Sequence, residues 1–291
     1  MVPTEVPASQ RMLLDVVRLS TQHLAQNGSQ SPRLDAELLA AHALGLRRID
    51  LYLQHERPLS ESELAAVREL VRRRAHGEPV AYLTGLRDFY GRGFMVDPAV
   101  LVPRPETETL VSVALDDLRS RGEASRVVDL GTGSGCIAVT IALECPDAAV
   151  VAVDSSEAAL AVARRNAAAL GADSVEFVHG EWAAPVVHRV DLVVSNPPYV
   201  TSAELADLMR DVRDHEPASA LDGGADGLET YRALLQTLQG KLAPGASLCF
   251  EVDPRRVAEV AQLIQQRFSA TTAMHRDLAG NDRVVVARLA E

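Results

Sequence analysis

Val190-Asp191-Leu192-Val193-Val194-Ser195-Asn196-Pro197-Pro198-Tyr199 decides the reading of this chain. The apolar run at 190–194 has the length and β-branched content of a buried strand. It stops in a tetrapeptide whose backbone has little freedom. Each proline fixes its own φ near about −65° and keeps the residue before it out of the helical region. Asn196 is therefore held extended, and the Pro197 carbonyl has a nearly fixed direction. Neither Pro197 nor Pro198 has a backbone N–H to donate, so the segment offers acceptors: the Asn196 side-chain oxygen and the Pro197 carbonyl. Two convergent acceptors suit a planar –NH2 group with two hydrogens to give. Tyr199 adds a flat face against which an amide or a base can lie. A strand ending in a proline turn is also a common structural device, so the weight of the motif comes from its surroundings.

Outward from this strand the chain alternates. Strands are expected at 126–130, 149–153, 175–178, 190–194 and 247–252, and a last one at 282–289 around Val284-Val285-Val286. Helices are expected at 136–144, 156–170, 227–242 and 254–268. This alternation predicts an α/β fold, a parallel sheet covered on both faces, with ligands at the carboxyl ends of the strands. Those ends carry the chemistry. The first closes in Asp129-Leu130-Gly131-Thr132-Gly133-Ser134-Gly135, where alternate glycines permit positive φ and let a ligand approach the backbone. The spacing differs from the dinucleotide pattern, and no Walker lysine follows. Asp154 ends the second strand, where a carboxylate can accept both hydroxyls of a ribose. Gly180-Glu181-Trp182 follows the third, in position to meet an adenine. Asn196-Pro197-Pro198-Tyr199 follows the fourth.

The first eighty residues read as short helices. Leu13, Leu14, Val17 and Leu24 have helical spacing up to Asn27-Gly28. Ser31 as N-cap, Pro32 at the first position and Gly45 at the far end frame a second helix. Ser60-Glu61-Ser62-Glu63 is a capping box opening a third, which Gly77 ends. Arg72-Arg73-Arg74 near that end favours the helix dipole, and a solvated face is its expected setting. Between 78 and 105, Phe89-Tyr90, Gly91, Gly93 and Phe94-Met95-Val96 suggest a β-hairpin joining two parts. Val102-Pro103-Arg104-Pro105-Glu106-Thr107-Glu108 then makes a stiff entry to a helix reaching about Arg121. Arg104, held out between two prolines, points either to an acidic surface partner or into a site. The expected organisation is a helical docking domain at 1–80, a hairpin linker at 81–105 and a catalytic domain at 106–291.

Composition bounds the function. The chain has 291 residues, 47% of them hydrophobic, and a formal charge of −11. Residues 1–80 balance ten basic against ten acidic side chains, whereas 81–291 hold 19 basic and 30 acidic ones. That excess argues against a general grip on a phosphate backbone. Residues 1–10 lack a signal-peptide pattern and no run has the length of a membrane span. Cys136, Cys145 and Cys249 have neither metal nor disulfide spacing, which points to a reducing cytoplasm and to no metal site. Cys136, beside the glycine turn, is expected as a small buried side chain.

The segment 129–199 resembles a class I methyltransferase that uses S-adenosylmethionine. The chain as a whole resembles the release-factor glutamine N5-methyltransferases, the PrmC/HemK family. The residues that carry this are Gly77-Glu78-Pro79-Val80-Ala81-Tyr82-Leu83-Thr84-Gly85, Val102 to Glu108, the glycine turn, Asn196 to Tyr199, Asp211-Val212-Arg213 with Glu216-Pro217, Ala220-Leu221-Asp222-Gly223-Gly224-Ala225-Asp226-Gly227, and Gly280-Asn281-Asp282-Arg283. The resemblance implies a seven-stranded, Rossmann-like sheet behind a small N-terminal helical domain. It implies S-adenosylmethionine as donor, S-adenosylhomocysteine as product, and the glutamine of the Gly-Gly-Gln loop of class I peptide release factors as target. Asn196, Pro197 and Tyr199 would then be catalytic. Asp129, Gly131, Thr132, Gly133, Gly135, Asp154, Glu181, Trp182 and Asn196 would hold the cofactor. Asn196, Pro197, Pro198, Tyr199 and Arg104 would hold the substrate. A monomer that touches neither nucleic acid nor membrane is expected. Glu181 stands where the family commonly has Asp, and Asp253 with Arg255-Arg256 stands where it has a glycine and later a glutamine. The alternatives are a glutamine methyltransferase acting on a ribosomal protein and an amino-group methyltransferase acting on nucleic acid.

Overall fold

The computed structural model describes residues 11–122 and 125–290, so the expectation for residues 1–10 lies outside the described residues. Contacts divide the chain into two units, one running up to Gly85 and taking in Arg210–His215, the other holding Leu86–Met209 and the chain from Glu216 onward.

In the smaller unit, apolar residues at helical spacing bury one face each of α1 (Leu13–Gln26), α2 (Pro32–Leu44), α3 (Asp50–Leu53), α4 (Glu61–Ala75) and α5 (Val80–Thr84). Leu13, Val17, Leu24, Leu39, Leu64 and Val67 form their common core. The short α3 and α5 lie outside the expected helices, because four or five residues carry too little periodicity. The box at α4 forms as expected: the Glu63 N–H donates to Ser60 Oγ at 3.3 Å and the Ser60 N–H to Glu63 Oε2 at 2.8 Å. Ser60→Ala is expected to cost about 1 kcal/mol, seen as a lower urea midpoint of the helical signal. Ser31 takes the N-cap position of α2 but makes no side-chain cap, and Ser29 Oγ instead donates to Asp35 Oδ2 at 2.8 Å. The solvated face expected for the arginine run is corrected at Arg74. Its side chain is 12% exposed, and it reaches Asp35 at 2.8 Å and Asp211 at 3.2 Å. That pair of bonds gives Asp211 a structural role within this unit.

The larger unit opens with a hairpin, β1 (Leu86–Phe89) and β2 (Arg92–Met95), turned by Tyr90 and Gly91 at φ 50° and 72°. Phe89 and Phe94 meet edge to face at 6.0 Å beneath it. There follow α6 (Thr107–Arg121), β3 (Arg126–Leu130), α7 (Cys136–Glu144), β4 (Ala149–Asp154), α8 (Glu157–Leu170), β5 (Glu176–His179) and β6 (Val190–Ser195). After α9 (Arg210–His215), which belongs to the helical unit, come α10 (Glu229–Thr237), β7 (Leu242–Glu251), α11 (Val257–Arg267), β8 (Ala270–Arg276) and β9 (Asp282–Leu289).

Seven strands form one sheet in the order β5-β4-β3-β6-β7-β9-β8. The first five are mutually parallel, and β9 runs antiparallel to both β7 and β8. Period-two alternation sends side chains to two buried layers. Val127, Leu192, Val194 and Cys249 meet α6 and α7, whereas Val128, Leu130, Val193 and Phe250 meet α10 and α11. The order reverses between β3 and β6, which opens a crevice at the carboxyl ends of those two strands.

Two element boundaries differ from expectation. The helix expected at 227–242 spans only Glu229–Thr237, because Gly227 and Gly240 sit at φ 71° and 75°, and β7 already begins at Leu242. β8 is an element beyond those expected. It is a largely exposed edge strand of Thr, Ala, His and Arg, without the apolar pattern that marks a buried one. Among the described residues no helix is long and apolar enough to cross a membrane.

Candidate active site

The crevice holds a cavity of about 290 Å³ whose wall includes Arg104, Thr107, Gly131, Thr132, Gly133, Asp154, Glu181, Trp182, Asn196 and Pro198. These residues lie far apart in sequence: the strand order brings together those that follow β3, β4, β5 and β6, and the entry to α6 adds Arg104 and Thr107. Of the other residues expected at the site, Asp129, Gly135, Pro197 and Tyr199 are not part of that wall.

Asp129 lies beneath it, fully buried. Its Oδ2 accepts the Thr132 hydroxyl at 2.6 Å and the Ala138 N–H at 3.2 Å, tying the glycine turn to the start of α7. Its Oδ1 is buried without a partner among the described residues. Burial pushes this carboxyl up to about 7, against the pull of its hydrogen bonds to Thr132 and Ala138. The three glycines of the turn have φ of 75°, 56° and 80° and divide the work. A Cβ on Gly133 would meet nothing within 4 Å, whereas one on Gly135 would sit 3.0 Å from the Ala163 side chain. Gly133 thus leaves room for a ligand, and Gly135 allows α7 and α8 to pack closely. Cys136 is buried as expected and also lines the cavity, where burial holds its thiol up at about 12.

Asp154 ends β4 half-buried. Its two oxygens take the Gly133 N–H at 2.8 Å and the Ser156 N–H at 2.9 Å, and burial raises it above the usual carboxylate range. Glu181 stands exposed at the rim. Trp182 adopts φ 47°, a region that costs a side-chain-bearing residue about 1–2 kcal/mol. Its ring is thereby set beside Gly131, where an added Cβ would lie 3.7 Å away.

On β6, the Ser195 hydroxyl donates to the Leu130 carbonyl at 2.6 Å and locks the strand end to β3. Asn196 Nδ2 donates to Thr107 Oγ1 at 3.2 Å. No described residue donates to Asn196 Oδ1 or to the Pro197 carbonyl, so both acceptors are unused. The Pro198 carbonyl, by contrast, is taken by the Thr230 hydroxyl at 2.6 Å. Arg104 resolves its two readings at once. It lines the cavity, and its Nη2 donates at 2.5 Å to Glu216, which also accepts the Val102 N–H at 3.0 Å. Asp253 and Arg255 form a local turn: Asp253 Oδ1 accepts the Arg255 N–H at 2.8 Å, and the Arg255 guanidinium reaches Glu204 at 2.6 Å.

Sequence reasoning missed three contributors. Thr107 and Thr230 were hidden in helix starts, and Gly223 had no visible task. A Cβ on Gly223 would lie 2.7 Å from Tyr199 Cα, while its N–H donates to the Val200 carbonyl at 2.7 Å. The Leu221-to-Gly227 stretch is therefore a cradle for the backbone of the proline segment. Gly223→Ala is expected to cost about 1–3 kcal/mol of stability by overpacking and to lower turnover with it. Thermal melting and initial rates on the same preparation would check both. Tyr199, pressed into the core of this cradle, has its phenol raised well above its ordinary value by burial and stays protonated.

A seven-stranded sheet with its crevice between β3 and β6, a glycine turn on one side and acceptors on the other, defines the methyltransferase class of α/β proteins. Residues 15–85 match the PrmC N-terminal domain, and residues 107–214 match the Methyltransferase small domain. The chain is 44% identical over 286 residues to a release factor glutamine methyltransferase of Nitratidesulfovibrio vulgaris, covering 96% of each. It is 42% identical over 280 residues to one of Geobacter sulfurreducens, again covering 96% of each. Among solved structures, the hMettl16 catalytic domain in complex with MAT2A 3′UTR hairpin 6 is similar at a TM-score of 0.56 and 14% identity, over 74% of this chain and 83% of that one. That likeness speaks for the fold alone. This chain belongs to the release factor glutamine methyltransferase family.

Proposed function

We propose that this enzyme transfers a methyl group from S-adenosylmethionine to the side-chain amide nitrogen of the glutamine in the Gly-Gly-Gln loop of class I peptide release factors. The observation that carries the reading is the state of Asn196. Its amine is used by Thr107, which leaves its oxygen as an unused acceptor on the cavity wall, beside an unused Pro197 carbonyl. The names of the relatives supply the substrate class.

The residues suit the donor. Gly133 leaves open space where a side chain would intrude, Gly131 lies against the Trp182 ring, and Asp154 at the end of β4 and Trp182 shortly after β5 line the same cavity. Asp154 would accept ribose hydroxyls, the indole with Glu181 would meet the adenine, and Asp129 with Thr132 would shape the turn under the amino-acid end. When bound, S-adenosylmethionine supplies an electrophilic methyl group on a sulfonium centre. The chain's own residues handle the amide. A glutamine amide nitrogen is a poor nucleophile, because its lone pair is delocalised into the carbonyl. Asn196 Oδ1 and the Pro197 carbonyl would accept its two N–H groups and turn the nitrogen into line. Both contacts strengthen as positive charge develops on that nitrogen. Pro198 and Tyr199 would hold this pair of acceptors in place, through Thr230 and the glycine cradle. Arg104, fixed by Glu216, would present its remaining N–H groups to substrate carbonyls at the mouth. The excess of acidic side chains fits a protein substrate better than a phosphate backbone, and we place the enzyme in the cytoplasm as a monomer.

The test is transfer of labelled methyl from S-adenosylmethionine to release factor, total ribosomal protein and duplex DNA, with mass spectrometry to locate the modified atom. Label is expected on the Gly-Gly-Gln glutamine and should vanish when that glutamine is replaced. Label on a ribosomal protein or on DNA alone would refute the substrate assignment.

A further inference from the structure

Trp182 stands on the cavity wall in a conformation that its own sterics disfavour. At φ 47° its backbone is in the left-handed region, and such a residue persists only where its surroundings over-determine it. Those surroundings are the rest of the turn between β5 and β6. Gly180 closes the turn from one side: its N–H donates to the Asp154 carbonyl at 3.0 Å, and a Cβ there would lie 2.7 Å from the Pro185 ring. Thr237, the last residue of α10, accepts the Ala183 N–H at 3.1 Å. The carbonyls that follow are gathered by one side chain. Lys241 Nζ donates to the carbonyls of Ala183, of Ala184 at 2.8 Å and of Val186 at 2.9 Å. An ammonium has three N–H donors, and here each has its own carbonyl. The lysine is itself fixed, since its main-chain carbonyl takes the Val190 N–H at 2.9 Å where β6 meets the start of β7. It is the only lysine in a chain that otherwise uses arginine. A guanidinium fans its N–H groups out in one plane, whereas an ammonium directs three around a single point.

We propose that Lys241 is a positioning residue that holds the turn after Trp182 and so sets the indole as a preformed platform for the donor's purine. The inference rests on reading this cavity as the S-adenosylmethionine site. The indole lies against the glycine turn, where a Cβ on Gly131 would be 3.7 Å from it. A flat ring already held there offers its face to a purine without having to be ordered on binding. With the ammonium removed, the carbonyls of Ala183, Ala184 and Val186 lose their donor, and Trp182 is free to relax toward negative φ. All three Lys241 donors are spent on this turn and none goes to the proline segment. The effect therefore falls on donor affinity and spares the alignment of the substrate amide.

Trp182 is the only tryptophan, so selectively excited fluorescence reports this indole directly. The experiment compares wild type, Lys241→Met, Thr237→Val, Trp182→Ala and the Lys241→Met, Trp182→Ala pair. Each is measured by calorimetric binding of S-adenosylmethionine and by methyl transfer to a release factor. Methionine keeps most of the apolar stem of the lysine and removes the ammonium. Lys241→Met should weaken donor binding by about tenfold, with kcat at saturating donor and KM for the release factor within about twofold. Its tryptophan emission, without donor, should shift to the red and lose anisotropy. Thr237→Val removes one tether of the same turn and should move the same readouts in the same direction by less. It carries the test if Lys241→Met does not fold. Trp182→Ala should weaken donor binding by about tenfold or more, and adding Lys241→Met to it should cost nothing further, since both act through one ring. Wild-type donor affinity in Lys241→Met, with Trp182→Ala weakened, would overturn the proposal and leave the donor site standing. Wild-type affinity in Trp182→Ala would remove the indole from the site and the proposal with it. A wild-type protein that binds no S-adenosylmethionine would refute the donor reading and all that depends on it. Equal losses of donor affinity, kcat and release-factor KM in Lys241→Met would make Lys241 a general structural residue and would also overturn the proposal.

Discussion

Asn196→Ala is expected to lower kcat for methyl transfer by about 10²–10³-fold while S-adenosylmethionine affinity stays within about twofold. The first half follows from what the side chain does at the cavity. Its Oδ1 is an acceptor with no internal partner, and the other acceptor, the Pro197 carbonyl, belongs to the backbone and survives the substitution. Losing one of two contacts that align a poor nucleophile removes orientation at the reacting atom, which is worth more in the transition state than in the ground state. The second half follows from the geometry around the glycine turn. Gly133, Asp154 and Trp182 are held by β3, β4, Asp129 and backbone N–H groups, none of which involves Asn196. Single-turnover rates and calorimetry on the same protein would separate the two. Turnover within a few-fold of wild type, in protein that binds donor normally, would remove Asn196 from the mechanism.

Thermal stability of the ligand-free protein is expected to fall as pH rises from 5 to 8, and to do so because of two buried carboxyls. Burial pushes both Asp129 and Glu251 up to about 7. In the unfolded chain they ionise at about 4, the ordinary carboxylate range. Between those values the folded protein holds protons that the unfolded chain has released. Its stability therefore decreases with pH, by up to about 1.4 kcal/mol per pH unit for each group. Asp154, also raised by burial, adds in the same direction. The carboxylates held low by their partners, such as Glu37 beside Tyr52 and Arg33, or Glu204 at about 2 beside Arg255, contribute the opposite slope. Their stabilisation is present above the unfolded value and is lost only in more acidic solution, outside this window. Melting temperatures across pH 5 to 8 for wild type and for the Asp129→Asn, Glu251→Gln pair measure the effect. The slope should flatten in the double variant. A wild-type melting temperature that rises through the window would show that these carboxyls are ionised in the folded chain throughout.

Local chemistry makes much of this protein legible in the sequence alone. Alternating strands and helices announced a covered parallel sheet, because strands buried on both faces must be apolar throughout, and Val127-Val128 and Val193-Val194 are. The box at Ser60 and Glu63 announced α4, because its two bonds are made within four residues. Asn196-Pro197-Pro198 announced acceptors, because two prolines remove the donors wherever the segment sits. The strand β8 stayed invisible, since an edge strand exposed to water needs no apolar pattern. The arginines at 72–74 looked alike in sequence and proved unlike, since only Arg74 is enclosed by carboxylates from 39 and 137 residues away.

What the sequence determined by itself is thus the class of fold and the chemical types at the strand ends, since both depend on side-chain periodicity and on backbone freedom within a few residues. Only the tertiary structure decided how those types work. It showed that Asn196 spends its amine on Thr107, that Asp129 lies under the cavity wall, that Glu216 aims Arg104, and that Gly223 bears on Tyr199. The contacts of Asn196 with Thr107 and of Glu216 with Arg104 span 89 and 112 residues of chain, and Gly223 meets Tyr199 from well beyond any local turn. Hydrogen bonds and van der Waals exclusion act over a few ångströms, and which residues come that close is set by strand order and register, which no local stretch of the sequence contains.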